Sequence, residues 1–251
     1  MTMALFDVQG QVALITGASG AFGPVAARVF AGAGCRLVLA AIAAECRVLR
    51  AEVVEVNGRP SREATCAAIV AQAVAVFGTL DILVVASGMN TVARIDAMQP
   101  ADFAAVMNAN VTQSWLLARA ATVQTKRQGS GKIVLVSSAR GLLGYPAGYT
   151  AYCSGKAAMD GMTRALGCEL GPLGISVNAI APTVFRSPLT ASMFEDNANA
   201  RTVRAGFLAR VPKGRLGEPE DLVGPKLFLA SKASDFYTGH ILCADGGYTA
   251  G

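Results

Sequence analysis

Tyr152 and Lys156 stand four residues apart in Tyr152-Cys153-Ser154-Gly155-Lys156. On a helix that spacing puts both side chains on one face, so the Lys156 ammonium is expected beside the Tyr152 phenol. A neighbouring cation favours phenolate and brings the tyrosine pKa down from about 10 towards neutral pH. A tyrosine tuned in this way can serve as a general acid or base. Taken alone, such a pair is more often an accident of a helix surface. Upstream, Ser137 and Ser138 end the apolar run Ile133-Val134-Leu135-Val136. A hydroxyl there can stabilise charge on a reacting oxygen, although a plain strand-end serine is the competing reading. Near the start of the chain, Thr16-Gly17-Ala18-Ser19-Gly20-Ala21-Phe22-Gly23 follows another apolar run, and Pro24 opens a helix. A glycine turn feeding a helix N-terminus offers free backbone N–H groups and the positive end of the helix dipole to a pyrophosphate.

A frame is needed to bring residues 17, 138 and 152 together. Val12-Ala13-Leu14-Ile15, Leu37-Val38-Leu39, Ile82-Leu83-Val84-Val85, Ile133-Val134-Leu135-Val136 and Val177-Asn178-Ala179-Ile180 are short continuous apolar runs. Such runs mark strands covered on both faces. Between them lie stretches with helical spacing, as in Val25, Val29 and Ala33, or Ala158, Met162, Ala165 and Leu166. The alternation predicts an α/β fold, a doubly wound and mostly parallel sheet of the Rossmann type. No linker, repeat or low-complexity tract interrupts it, so a single domain is expected over residues 1–251. With 53% hydrophobic residues, the chain can bury a large core without staples.

Composition also excludes some classes. Cys35, Cys46, Cys66, Cys153, Cys168 and Cys243 form no C-x-x-C pair and fit no zinc framework, so they read as buried or partly buried thiols in a reducing compartment. The net charge of +5 is scattered, with no basic run longer than Lys126-Arg127, which argues against a nucleic-acid partner. No apolar run is long enough for a membrane span and the start lacks a signal-peptide layout, so a cytoplasmic protein is expected.

The glycine loop and the Tyr-x-x-x-Lys pair resemble those of the short-chain dehydrogenase/reductase family, and the resemblance covers essentially the whole chain. Thr16, Gly17 and Gly23 match the family's T-G-x-x-x-G-x-G loop, with Ala21 at its middle glycine. Asn108-Ala109-Asn110-Val111, Asn178-Ala179-Ile180-Ala181-Pro182-Thr183 and Asp245-Gly246-Gly247 extend the match. The resemblance implies an NAD(P)-dependent oxidoreductase that interconverts an alcohol and a ketone or aldehyde. It implies a catalytic tetrad of Asn110, Ser138, Tyr152 and Lys156. In it Tyr152 moves the proton, Ser138 orients the substrate oxygen, Lys156 holds the nicotinamide ribose and lowers the tyrosine pKa, and Asn110 holds a water linked to the lysine. The cofactor would lie along Gly17, Ser19, Gly20, Phe22 and Gly23, then Ala41 and Asn57, then Ala86, Ser87 and Gly88. Beyond these it would meet Tyr152, Lys156, Pro182, Val184 and Ser187. A small-molecule alcohol or carbonyl substrate and a homotetramer are also implied.

Departures from the family pattern fall at the adenosine end. Ala41 stands where an acid would hold the ribose of NAD, so the expected cofactor is NADP or NAD with a lean to NADP. Arg47, Arg50 and Arg59 are the candidate phosphate partners. The alternative is a non-catalytic Rossmann-fold binding or regulatory protein with a degenerate adenosine site. Dehydration or epimerisation is disfavoured because the longer C-terminal substrate domain of such enzymes is missing. Residues 183–210 are expected to form a substrate lid. His240, the single histidine, reads as a strand-end side chain and Trp115 as helix packing. Arg140 reads as a solvated loop arginine ahead of a contact to an anionic substrate.

Overall fold

The computed structural model describes residues 3–17, 22–40, 52–56, 60 and 62–251. One sheet of seven strands runs through it: β1 (Val12–Thr16), β2 (Arg36–Ala40), β3 (Val53–Val56), β4 (Ile82–Val85), β5 (Gly131–Val136), β6 (Ile175–Pro182) and β7 (Ile241–Ala244). Their order is β3-β2-β1-β4-β5-β6-β7, and every neighbouring pair is parallel. The chain therefore starts in the middle of the sheet and winds outwards both ways. This leaves a topological switch between β1 and β4, where crevices open beyond the strand C-termini. All five apolar runs are strands. The segment between β2 and β3, residues 41–51, lies outside the described residues.

Alternation of side chains across the strands makes two cores. Ala13, Ile15, Leu37, Leu39, Ile82, Val84, Val134 and Val136 face α1 (Gly23–Gly32) and α7 (Val223–Ala230), meeting Val25, Ala26, Phe30 and Leu229. Val12, Leu14, Val38, Leu83, Val85, Ile133, Leu135 and Val177 turn the other way. They meet α2 (Glu63–Phe77), α4 (Gln113–Gln128) and α5 (Thr150–Leu170) through Ile69, Leu117, Met159 and Leu170. Each large aliphatic side chain buried in this way stabilises the fold by about 1.5–3 kcal/mol. The edge strand β3 is shielded less and exposes Glu55, a charge that discourages edge-to-edge pairing. Two further helices lie among the described residues, α3 (Pro100–Met107) and α6 (Ala198–Leu208). No helix among the described residues is long and apolar enough to cross a membrane.

The burial pattern of α5 departs from simple apolar periodicity, and two expectations, for Trp115 and Cys168, need correction. The buried face of α5 is Ala151, Gly155, Lys156, Met159, Asp160, Thr163, Gly167 and Leu170, whereas Ala158, Met162 and Leu166 are half-exposed and Ala165 is exposed. Small and polar residues let this helix lie close to the sheet, and Met162 and Leu166 pack at the margin of the same core. Trp115 is 45% exposed and lies under the Arg119 guanidinium instead of packing into the core. Cys168 is exposed, while Cys35 and Cys66 are buried and Cys153 and Cys243 half-buried, as thiols.

Candidate active site

At the switch point, β1 ends in Thr16 and Gly17, directly beside the end of β4. Thr16 Oγ1 lies 3.1 Å from Ser87 Oγ. Gly17 has φ of +65°, and a Cβ there would sit 2.6 Å from Ser87 N and 2.8 Å from Ala86 O. Only glycine allows the two strand ends to approach so closely while the backbone turns left-handed. Phe22 then caps α1, with Gly23 buried in its first turn beside Pro24. The free N–H groups of that turn and the space that side chains would fill suit the phosphates of a dinucleotide. Ser19, Gly20, Ala41 and Asn57 lie outside the described residues, as do Arg47, Arg50 and Arg59.

On the other side of the switch, β5 delivers the serines and α5 the tyrosine and lysine. Ser138 is buried; its Oγ donates to Pro182 O (3.3 Å) and accepts from Arg140 N (3.2 Å). Ser137 is committed elsewhere, its hydroxyl donating to the Asp160 carboxylate, so Ser138 is the serine left facing Tyr152. Tyr152 is half-buried one turn above Lys156, whose Nζ is 5.6 Å from the tyrosine ring centroid. Lys156 Nζ donates to Val136 O at 2.7 Å.

The electrostatics differ from the expectation drawn from spacing. Burial pushes the Tyr152 phenol above its ordinary value, and the Ser138 hydroxyl pulls it the other way. The Lys156 ammonium stands over the tyrosine ring and donates to Val136 O. Burial lowers Lys156 itself from 10.5 to about 8, opposed by the charge of Asp160. Asp160 is itself raised by burial, with Ser137, Arg164 and Lys156 opposing. The sequence reading passed over Asp160. Its signal was available, since Tyr152, Lys156 and Asp160 continue the same four-residue step along one helix face.

Asn110 occupies a π-helical stretch, Asn108–Thr112, between α3 and α4. Its Nδ2 donates to Met89 O (2.7 Å) and Val106 O (2.9 Å), and its main-chain carbonyl accepts from Ser114 Oγ (2.8 Å). The buried Oδ1 has no partner among the described residues. A Cβ on Gly88 would lie 2.6 Å from that oxygen and 3.8 Å from Lys156 Nζ. Gly88 thus keeps open the small space where Asn110 and Lys156 meet.

The remaining expected contacts lie along the exit of β6. Pro182 supplies the carbonyl that holds Ser138, and Val184 O accepts from Gly217 N at 3.0 Å. Ser187 Oγ lies 2.9 Å from Thr190 Oγ1 and lines an open cleft of about 520 Å³ with Arg186, Ala191, Phe194 and Glu195. The segment 183–210 carries the short 3-10 helix Pro188–Met193 and α6, and Phe207 of α6 stacks on Tyr248. His240 is exposed and is held by its backbone N–H on Asn178 Oδ1, as a strand-end residue. Lys226 was missed altogether. It is 1% exposed beneath the N-terminus of α1 and donates to Phe22 O at 3.1 Å.

A glycine turn at the switch of a doubly wound sheet, facing a serine, tyrosine and lysine beyond β5, defines a dinucleotide-dependent oxidoreductase. Comparison with known proteins agrees. Residues 17–249 match the sequence model of the enoyl-(acyl carrier protein) reductase family. An uncharacterized oxidoreductase of Mycobacterium tuberculosis is 48% identical, over 99% of this chain and 94% of its own length. A short-chain type dehydrogenase/reductase from Mycobacterium marinum superposes with a TM-score of 0.89 at 31% identity, covering 100% of both chains. A gluconate 5-dehydrogenase from Burkholderia cenocepacia, solved in complex with NADP and tartrate, superposes with a TM-score of 0.92 at 29% identity, again over 100% of both. The chain belongs to the short-chain dehydrogenase/reductase family and is a nicotinamide-dependent oxidoreductase.

Proposed function

We propose that the chain interconverts an alcohol and its ketone or aldehyde with NADP in preference to NAD, using Asn110, Ser138, Tyr152 and Lys156. The observation that carries this reading is the convergence of Ser138, Tyr152 and Lys156 beside the glycine turn. The cofactor supplies or accepts the hydride. Tyr152 moves the proton at the substrate oxygen through its phenol, and Ser138 Oγ donates a hydrogen bond to the same oxygen. Lys156 holds the nicotinamide ribose and restores the proton to the phenol side of the site. Asn110, through its Oδ1, which has no partner among the described residues, supports the water that links Lys156 to solvent. Gly17, Phe22 and Gly23 take the phosphates; Ala86, Ser87 and Gly88 border the middle of the cofactor. Pro182, Val184 and Ser187 border the nicotinamide, and residues 183–210 act as the lid.

The lean to NADP rests on Ala41, which offers no carboxylate to the ribose and no repulsion to its phosphate. The NADP bound in the Burkholderia neighbour supports it. Titrating both cofactors in one buffer tests this: a preference for NAD above about tenfold, or ~1.4 kcal/mol, refutes the lean. A screen of secondary alcohols, sugars and hydroxy acids with NADP tests the activity itself, and absence of any turnover refutes it. We further propose a cytoplasmic homotetramer. The half-exposed Met162 and Leu166 of α5, with Ile241 and Leu242 of β7 also half-exposed, give apolar surface for twofold packing. Sedimentation showing only monomer at micromolar concentration overturns that assembly.

A further inference from the structure

Arg140 is placed at the reacting end of the site by the same turn that builds it. It sits in the 3-10 helix Ala139–Gly141 directly after β5, and its backbone N–H is the donor to Ser138 Oγ (3.2 Å). Its side chain is not the solvated one expected of a loop arginine. The guanidinium carbon lies 4.1 Å from the centroid of Tyr145 and 5.2 Å from that of Tyr248. Nη1 donates to Tyr248 Oη (3.1 Å) and Gly144 O (3.3 Å). Tyr248 is itself fixed, 1% exposed and stacked on Phe207 at 5.0 Å.

This guanidinium is held without being neutralised. Among the described residues, no carboxylate is within ion-pair reach of Arg140, and its Nε and Nη2 groups have no acceptor. Arg210, just beyond α6, also stacks on Tyr248, at 4.6 Å, and likewise has no carboxylate partner there. The charge of Arg140 reaches the reacting group, since it pulls the Tyr152 phenol and the Cys153 thiol downwards against their burial. Between guanidinium and phenol runs a wall of edge-to-face rings, Tyr145 to Tyr149 (5.1 Å) and Tyr149 to Tyr152 (6.2 Å).

A guanidinium immobilised by aromatic stacking keeps its N–H fork preorganised, and that fork matches a planar oxyanion. A charge held half-buried with open donors beside a reaction centre favours a ligand that carries the missing anion. We propose that the substrate is a hydroxy acid or its keto acid, and that Arg140 binds the substrate carboxylate while the alcohol carbon lies at Tyr152 and Ser138. Arg140 is then the specificity-determining residue of the pocket. The inference rests on the reading of Tyr152 and Ser138 as the reacting end.

The test uses the NADP-loaded protein and acid–neutral pairs of matched size: D-gluconate with D-sorbitol, lactate with isopropanol, and mandelate with phenylethanol. Calorimetric titration is expected to show at least one acid binding tenfold or more tightly than its neutral partner. In Arg140→Ala that gap closes through loss of the acid, and Arg140→Lys restores part of it by returning the charge. Arg140→Gln, uncharged and planar, serves as the folded comparison if alanine unsettles the loop. Equal affinity within every pair, no binding of any acid, or an equal loss for acid and neutral partner in the variants overturns the proposal. Failure of the oxidoreductase reading is seen separately, as no NADPH-linked turnover of any alcohol.

Discussion

Lys226→Met is expected to make the protein more stable near neutral pH, although it removes a hydrogen bond. The Lys226 ammonium is buried between α7 and the start of α1, where Phe22 O is its acceptor and the Phe22 ring centroid lies 5.9 Å away. The charged group felt there is Arg28, a second cation, and no carboxylate among the described residues pairs with Lys226. Burial, aided by Arg28, lowers its pKa from 10.5 to about 7. At about 1.4 kcal/mol per unit, holding the charge in the folded state costs about 5 kcal/mol. Methionine has a similar unbranched shape and no charge. Phe22 O keeps the hydrogen bond from Ala26 N (3.1 Å), so only one hydrogen bond is lost, at a net cost of roughly 0.5–1.5 kcal/mol.

The direction with pH follows from proton counting. Between about 7 and 10.5 the unfolded chain keeps the Lys226 proton and the folded one releases it, so wild-type stability rises with pH across that window. Below about 7 both states are charged and the full penalty applies. The variant should therefore be more stable by about 3.5–4.5 kcal/mol at the acid end of the window and lose that advantage by its alkaline end. Urea unfolding of both proteins at a series of pH values measures the difference, in which all shared titrations cancel. A difference that does not change with pH, or a variant less stable than wild type below about pH 7, refutes the assignment of Lys226 as a buried, unpaired cation.

Other outcomes follow from the same geometry. Tyr152→Phe should lower kcat/KM by far more than tenfold, above ~1.4 kcal/mol in barrier, while calorimetry shows NADP binding little changed; a smaller loss removes Tyr152 as the proton carrier. Gly88→Ala drives a methyl group into Asn110 Oδ1, so a loss of about 1–3 kcal/mol in unfolding free energy and a lower turnover are expected, and an unperturbed variant contradicts the close approach. Asp160→Asn removes the charge that supports the Lys156 ammonium, so the alkaline limb of the pH–rate profile should move to lower pH; an unmoved limb shows that Lys156 does not set it.

The sequence alone determined the sheet and the spacing of its chemistry. Continuous runs such as Val12-Ala13-Leu14-Ile15 can be satisfied only between two layers, and a four-residue step fixes one helix face, so β1, β5 and the Tyr152–Lys156 pair were legible locally. What a side chain faces across the fold is a sum over distant neighbours, and there local patterns fell short. Spacing placed Lys156 near Tyr152 but not at which atom, and burial turned the expected fall of the phenol pKa into a rise. Helical periodicity marked Met162 and Leu166 as part of a helix, but only the packing on β6 shows them at the margin of the core, with small and polar residues such as Gly155 and Thr163 innermost. Arg140 and Lys226 look alike in a sequence as surface cations. Only the tertiary structure separates them, one clamped between tyrosine rings at the reacting end and the other enclosed beneath α1, because desolvation depends on which elements close over a residue and not on its neighbours along the chain.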